Sequence, residues 1–156
     1  MIKDSRFSEM AFIPFNGPLF YDKSGKIDDT VGFGASSSSV AREQVALRRP
    51  IHMTVPRDGC LRRLAITLDC TSPLISGTIT LTVQTSPPGA GALFFSESEL
   101  TLSFSGDGQS FYSGRDEEIS IPVAAGTSVV LAVQGRDLVF ETPPETLYVN
   151  GTVSFD

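Results

Sequence analysis

The chain has 156 residues, 12 basic against 18 acidic side chains, and a formal net charge of −6. One domain fits that length, and a hydrophobic content of 40% supplies a core and excludes a disordered chain. The acidic balance is adverse to a phosphate backbone, so no nucleic-acid partner is expected, and no apolar run approaches the roughly 20 residues of a membrane helix, so neither is membrane insertion.

Residues 1–11 are mixed and charged, without the apolar stretch of a secretory signal. They read as a flexible N-terminal arm or connector, with Ile2, Phe7, Met10 and Phe12 as candidate anchors in a neighbouring subunit. Phe12 to Tyr21 is dense in aromatics, but Pro14 and Pro18 argue against a central strand. It reads as an edge strand or an extended segment lying across a sheet. Asp22 to Asp29 is a polar loop, and Val31-Gly32-Phe33-Gly34 is a short apolar piece in which glycine permits close backbone approach. Ser36 to Ser39 is a low-complexity link. Val40 to Leu47 is the one stretch with helical character, ended by Arg48-Arg49-Pro50.

Ile51, Met53 and Val55 face one way in a short strand, with His52 on the other side. Val55-Pro56-Arg57-Asp58-Gly59 is a tight turn, since Pro56 presets φ and Asp58 can bond its own backbone. The turn launches a long strand, Cys60 to Cys70, whose Leu64, Ile66 and Leu68 share one face while Arg62 breaks their parity. At about 3.3 Å per residue the ends of this strand lie roughly 33 Å apart, far beyond disulfide reach. Cys60 and Cys70 therefore read as free thiols or as candidate cross-links to a neighbouring subunit.

The clearest alternation follows, with Ile75, Gly77, Ile79, Leu81 and Val83 against Ser76, Thr78, Thr80, Thr82 and Gln84. Ser86 to Gly91 is a loop. Leu100, Leu102 and Phe104 alternate next, with Glu97 and Glu99 on an exposed face. Gly106-Asp107-Gly108 is a turn, Arg115 to Glu118 a charged loop, and Ile119, Ile121 and Val123 a strand. In the strand from Ser128 to Gln134, Val129, Leu131 and Val133 are apolar, but so are Val130 and Ala132. Both faces want burial. Either the strand is central in a two-layer sandwich and covered by a loop, or Val129, Val130, Leu131, Ala132 and Val133 form a subunit interface. The last run, Leu147 to Phe155, keeps its parity through Asn150-Gly151, which argues for one continuous strand rather than a hairpin.

About nine or ten short strands spaced by turn signals and almost no helix predict an all-β chain, a β-sandwich or barrel of the jelly-roll kind. No catalytic constellation is visible. A metal-dependent cupin-like enzyme needs two or three histidines, and the chain has one, so no enzyme, cofactor or metal is expected. For a ligand-binding head, Asp107, Phe111, Tyr112 and Asp116 are the candidate cluster.

The ordered landmarks Ile13-Pro14-Phe15, Val31-Gly32-Phe33-Gly34-Ala35-Ser36, Val55-Pro56-Arg57-Asp58-Gly59, Gly77-Thr78-Ile79-Thr80 and Ile121-Pro122-Val123-Ala124-Ala125-Gly126-Thr127 resemble the BclB-type C-terminal domain of exosporium glycoproteins of endospore-forming bacteria. The resemblance spans residues 12–156. It implies a jelly-roll domain similar to tumour necrosis factor and complement-type heads, assembled as a homotrimer. It further implies a structural place on the spore surface, in the exosporium or an appendage, beside other spore-surface proteins. Such a protein would be made in the mother cell without a classical signal. The collagen-like Gly-X-Y stalk usual in that family is absent here, so the expected role is a layer, cap or appendage subunit joined through its arm or surface. An adhesive or lectin-like head and a viral capsid or fibre jelly roll are the alternative readings.

Overall fold

A computed structural model describes residues 11–32, 53–90, 95–144 and 146–156, and the backbone of 36–38. The expectations for Ile2, Phe7, Met10, His52 and the helical stretch 40–47 lie outside these residues. Among the described residues nine strands are formed: β1 (Ala11–Phe20), β2 (Ile27–Val31), β3 (Ser36–Ser38), β4 (Met53–Thr54), β5 (Gly59–Ser86), β6 (Ser96–Ser105), β7 (Gln109–Val123), β8 (Ser128–Phe140) and β9 (Thr146–Phe155).

Every pairing is antiparallel, and β5 belongs to two layers. Its first half, Gly59 to Asp69, lies between β9 and β7. Its second half, from Leu74 to Ser86, lies between β8 and β6. The strands form one continuous hydrogen-bonded sheet that β5 folds into two layers, the first sheet β1-β9-β5-β7 and the second sheet β3-β2-β8-β5-β6, with β4 beside β8. Along the chain the strands pass repeatedly from one sheet to the other, which is the winding of a jelly roll. Alternate residues of both sheets meet between them. Leu61, Leu64, Ile66 and Leu68 from the first half of β5, Ile79, Leu81 and Val83 from the second, Leu131 and Val133 from β8, and Val149, Val153 and Phe155 from β9 are all buried in one core.

The two strands expected on either side of residue 71 are therefore one, bent at a corner. Thr71 (φ 59°) and Gly77 (φ 98°) take left-handed backbone there, and the Ser72 hydroxyl accepts from the Thr142 N–H at 3.0 Å. The pairing register with β8 slips on both sides of Ser76. That slip corrects the expected alternation, because Leu74 is buried and Ile75 is 48% exposed.

A second irregularity explains why Arg62 breaks the parity of its strand. Arg62 pairs with Ser154 and Ala65 with Thr152, so Arg63 and Leu64 together oppose the single Val153. This is a β-bulge, and Arg63 carries it with φ 57°. The bulge lets Leu61 and Leu64, three residues apart, both point inward.

Two further expectations change and one holds. Ser36–Ser38 is not a link but a strand, β3, paired to Val31, Thr30 and Asp29. The charged stretch Arg115 to Glu118 is part of β7, where the register against β5 jumps from Ser120 to Asp116. Asp116 holds that irregularity by accepting from the N–H groups of Glu118 and Ile119. Charge suits an edge strand, because it opposes pairing with another chain. Finally, β1 is an edge strand, which is where Pro14 and Pro18 are tolerated; the Asn16 N–H bonds across to the Gly32 carbonyl of the other sheet at 2.9 Å.

Candidate functional site: a groove on the outer face of the first sheet

Residues directly opposite in antiparallel strands share a face. Across β1, β9, β5 and β7 the outward rows are therefore fixed by register. One row is Pro18, Tyr148, Asp69 and Phe111; the next is Asn16, Asn150, Thr67 and Ser113; the third is Pro14, Thr152, Ala65 and Arg115. The second and third rows line a groove of about 690 Å³. A smaller depression of about 240 Å³ adjoins it, shares Asn16 and Asn150, and is bounded by Pro18 and Tyr148.

The groove has a cause in the inward row beneath it, which reads Phe15, Gly151, Ile66 and Gly114. Two of its four members lack a side chain. A Cβ on Gly151 would sit 2.3 Å from Ile66 Cδ1 and 2.8 Å from the Ala65 carbonyl oxygen, and one on Gly114 would meet the Phe104 ring at 3.1 Å. The space is held by Ile66 and Phe104, so β9 and β7 can settle toward the core here and the outer surface is depressed.

The groove is close to neutral. Its polar members are the amides of Asn16 and Asn150, the hydroxyls of Thr67, Ser113 and Thr152, and one cation, Arg115. Arg115 lies 3.8 Å from the Glu117 carboxylate in an open pair, which is worth little in water. Two large rings flank the groove in the Tyr148 row, Tyr148 at 50% exposure and Phe111 at 55%.

The sequence-derived candidates fall in several places. Val129, Val130, Leu131, Ala132 and Val133 are all buried within the single chain. Of the two readings of the doubly apolar strand, burial within the single chain favours the covered central strand: Val129, Leu131 and Val133 belong to the core, and Val130 and Ala132 are buried on the other face of β8. In the sheet β8 lies between β5 on one side and β2 and β4 on the other. Of the arm anchors, Phe12 is described, at the start of β1 and 62% exposed.

Cys60 and Cys70 are both free, Cys60 half-buried and Cys70 buried. Burial pushes the Cys70 thiol up to about 12, and the neighbouring Asp69 charge adds to the rise. A buried, protonated thiol is a poor nucleophile, so Cys70 is corrected as a cross-link candidate, whereas Cys60 keeps partial access. Arg62 reaches Asp156 within its own chain, Nε to Oδ1 at 3.0 Å, instead of the acidic run 116–118.

The cluster expected for a binding head does not assemble. The Tyr112 hydroxyl is internal, donating to Asp107 Oδ1 at 2.9 Å, and burial raises its pKa. Asp116 holds the backbone of β7 as described above. Phe111 and Asp107 face solvent, but Asp107 is taken up by the Tyr112 hydroxyl. Among the described residues no three or more His, Cys, Asp or Glu side chains are gathered in a way that could hold a metal ion. The groove residues Asn16, Asn150, Thr67 and Ser113 escaped sequence reasoning, although the outward parity of Tyr148, Asn150 and Thr152 was a visible signal.

No family model matches the chain, and no curated protein does. Among solved structures it is similar to the Eiger TNF of S. frugiperda, at 15% identity over 90% of this chain and 91% of that one, with a TM-score of 0.35. It is also similar to a structure of Desmodium yellow mottle tymovirus, at 14% identity over 94% and 86% of the two chains, again with a TM-score of 0.35. The jelly-roll assignment rests on the strand order itself.

Proposed function

We propose that this protein is a structural subunit that assembles with copies of itself, a homotrimeric jelly roll of the spore surface, in the exosporium or an appendage. The observation that carries self-association is the exposure of large apolar side chains at both ends of the sandwich. At one end Phe12 stands 62% exposed beside residues 1–10. At the other, where β5 turns its corner, Ile75 is 48% and Val139 52% exposed, in neighbouring strands. Isolated exposed apolar residues are ordinary, but paired ones at a sheet corner mark contact surface. The placement on a spore, and other spore-surface proteins as partners, rest on the resemblance to the BclB-type domain.

The test is solution mass by light scattering, with and without reductant, for the full chain, for a chain lacking residues 1–10, and for Phe12→Ser and Ile75→Ser/Val139→Ser variants. A trimer or larger species that the variants reduce supports the reading. A monomer across all concentrations refutes it.

A further inference from the structure

We infer that the groove across β1, β9, β5 and β7 is a binding site for a neutral, extended oligosaccharide of β-linked pyranose rings. This goes beyond the assembly role and does not depend on it.

The shape selects an elongated ligand. The groove of about 690 Å³ and the adjoining depression of about 240 Å³ form one path through the shared Asn16 and Asn150, and it leads to Tyr148. The lining chemistry selects neutral hydroxyls. The Asn150 amide offers donors and an acceptor, the Ser113 and Thr152 hydroxyls do both, and the Thr67 hydroxyl, which donates to the Asn150 carbonyl at 3.4 Å, still accepts. A polyol, whose every group is donor and acceptor at once, matches that inventory.

A charged polymer does not match. A polyanion would meet one cation, Arg115, next to Glu117, with Asp69 in the neighbouring row and a net charge of −6 on the chain. A polycation would find no carboxylate in the groove lining and a single one, Asp69, in the flanking row. An extended peptide is recognised chiefly through its backbone, by adding a strand to a free sheet edge. The groove lies on the face of the sheet, where the backbone groups of β9 and the first half of β5 are directed to strands on both sides.

Two exposed rings complete the site. Tyr148 and Phe111 stand in one row with Asp69 between them, two interstrand steps or about 10 Å apart. Each presents an apolar surface in a polar setting, as aromatic residues do at wet binding sites. The flat CH-bearing face of a pyranose stacks on such a ring while its equatorial hydroxyls reach sideways to Asn150, Thr67 and Asp69. The spacing of the rings suits alternate sugars of one chain, with the sugar between them over Asp69.

The experiment is isothermal titration of the full-length protein with cellohexaose and with chitohexaose. At least one is expected to bind with a submillimolar Kd. Tyr148→Ala and Asn150→Ala, both exposed changes outside the core, are expected to weaken it about tenfold or more each. Thr80→Val, on the opposite sheet, leaves binding unchanged, and thermal unfolding by circular dichroism verifies that the variants fold. Absence of binding by both sugars, or binding indifferent to Tyr148→Ala and Asn150→Ala, overturns the inference. If Asn150→Trp lowers the solution mass while neither sugar binds, the groove serves contact between copies, and the oligosaccharide site is rejected. Sugar binding by a monomeric protein upholds the site and rejects only the assembly role.

Discussion

Replacing Gly151 by Ala tests the physical origin of the groove, because general expectation and local geometry give opposite signs. Alanine costs roughly 0.5–1 kcal/mol less than glycine in a strand interior, and its methyl, once buried, contributes about 0.8 kcal/mol. Both effects favour the variant. Against them stand the 2.3 Å approach of the new Cβ to Ile66 Cδ1 and the 2.8 Å approach to the Ala65 carbonyl oxygen. The isoleucine end can rotate away, but the carbonyl is backbone of β5, held in the pairing with β9 and β7. Overpacking of this kind costs about 1–3 kcal/mol, and the clash on two sides places this site toward the upper part of that range. The expected net loss is about 0.5–1.5 kcal/mol, a Tm lower by roughly 1–6 °C for a chain of this size. Ile66→Val removes the nearer obstacle, so the double variant should recover at least about 0.5 kcal/mol relative to additivity. Urea denaturation of the four proteins measures this. A Gly151→Ala protein as stable as the parent, or additive with Ile66→Val, would refute the pinched-sheet explanation.

Two further outcomes follow from the backbone and the thiols. Arg63 sits at φ 57°, where a side chain branched at Cβ is strained, so Arg63→Val should cost about 1–2 kcal/mol more than Arg63→Gly by denaturant midpoint; equal midpoints would contradict the bulge. For Cys70 the folded thiol is raised from 9.0 to about 12. Below pH 9 both folded and unfolded thiols are protonated and stability does not change; above it the unfolded thiol ionises first, so stability falls between pH 9 and 12, by ~1 kcal/mol at pH 10. Cys70→Val should remove this alkaline loss, and thiol labelling of the native protein should modify Cys60 well ahead of Cys70. Equal labelling rates would overturn the burial argument.

The core strands were legible because a two-residue alternation survives wherever one face meets the core and the other meets water. Leu64, Ile66 and Leu68, then Ile79, Leu81 and Val83, then Leu147, Val149 and Val153 all face inward as their spacing indicates. The failures share a cause. At Arg63 and at Ser76 an extra residue shifts the phase, and no local pattern distinguishes an inserted residue from the end of a strand. Ser36–Ser38 pairs through backbone alone as far as its pattern reveals, and polar residues of low complexity carry no phase. The second apolar face of β8 announced burial without saying by what. The groove was half legible: the outward parity of Tyr148, Asn150 and Thr152 was plain, but their neighbours Asn16, Thr67 and Ser113 come from strands far apart in the chain. Only the register between β1, β9, β5 and β7 brings them together.

The passage of β5 through both sheets has a consequence for how the domain comes apart. A sandwich with separate strands in each layer can lose one layer while the other persists as a partly ordered remnant. Here the same 28 residues supply a central strand to each layer, and the corner between them is tied by the Thr142–Ser72 bond and the close approach of Gly77 to Asp137. Peeling either sheet strips β5 of partners and drags on its other half, so opening of one layer is coupled to opening of the whole. The same wiring makes formation slow, since β5 must find β7, β8 and β9 across large separations in sequence before any layer is complete. A domain wired this way forms late and opens all at once.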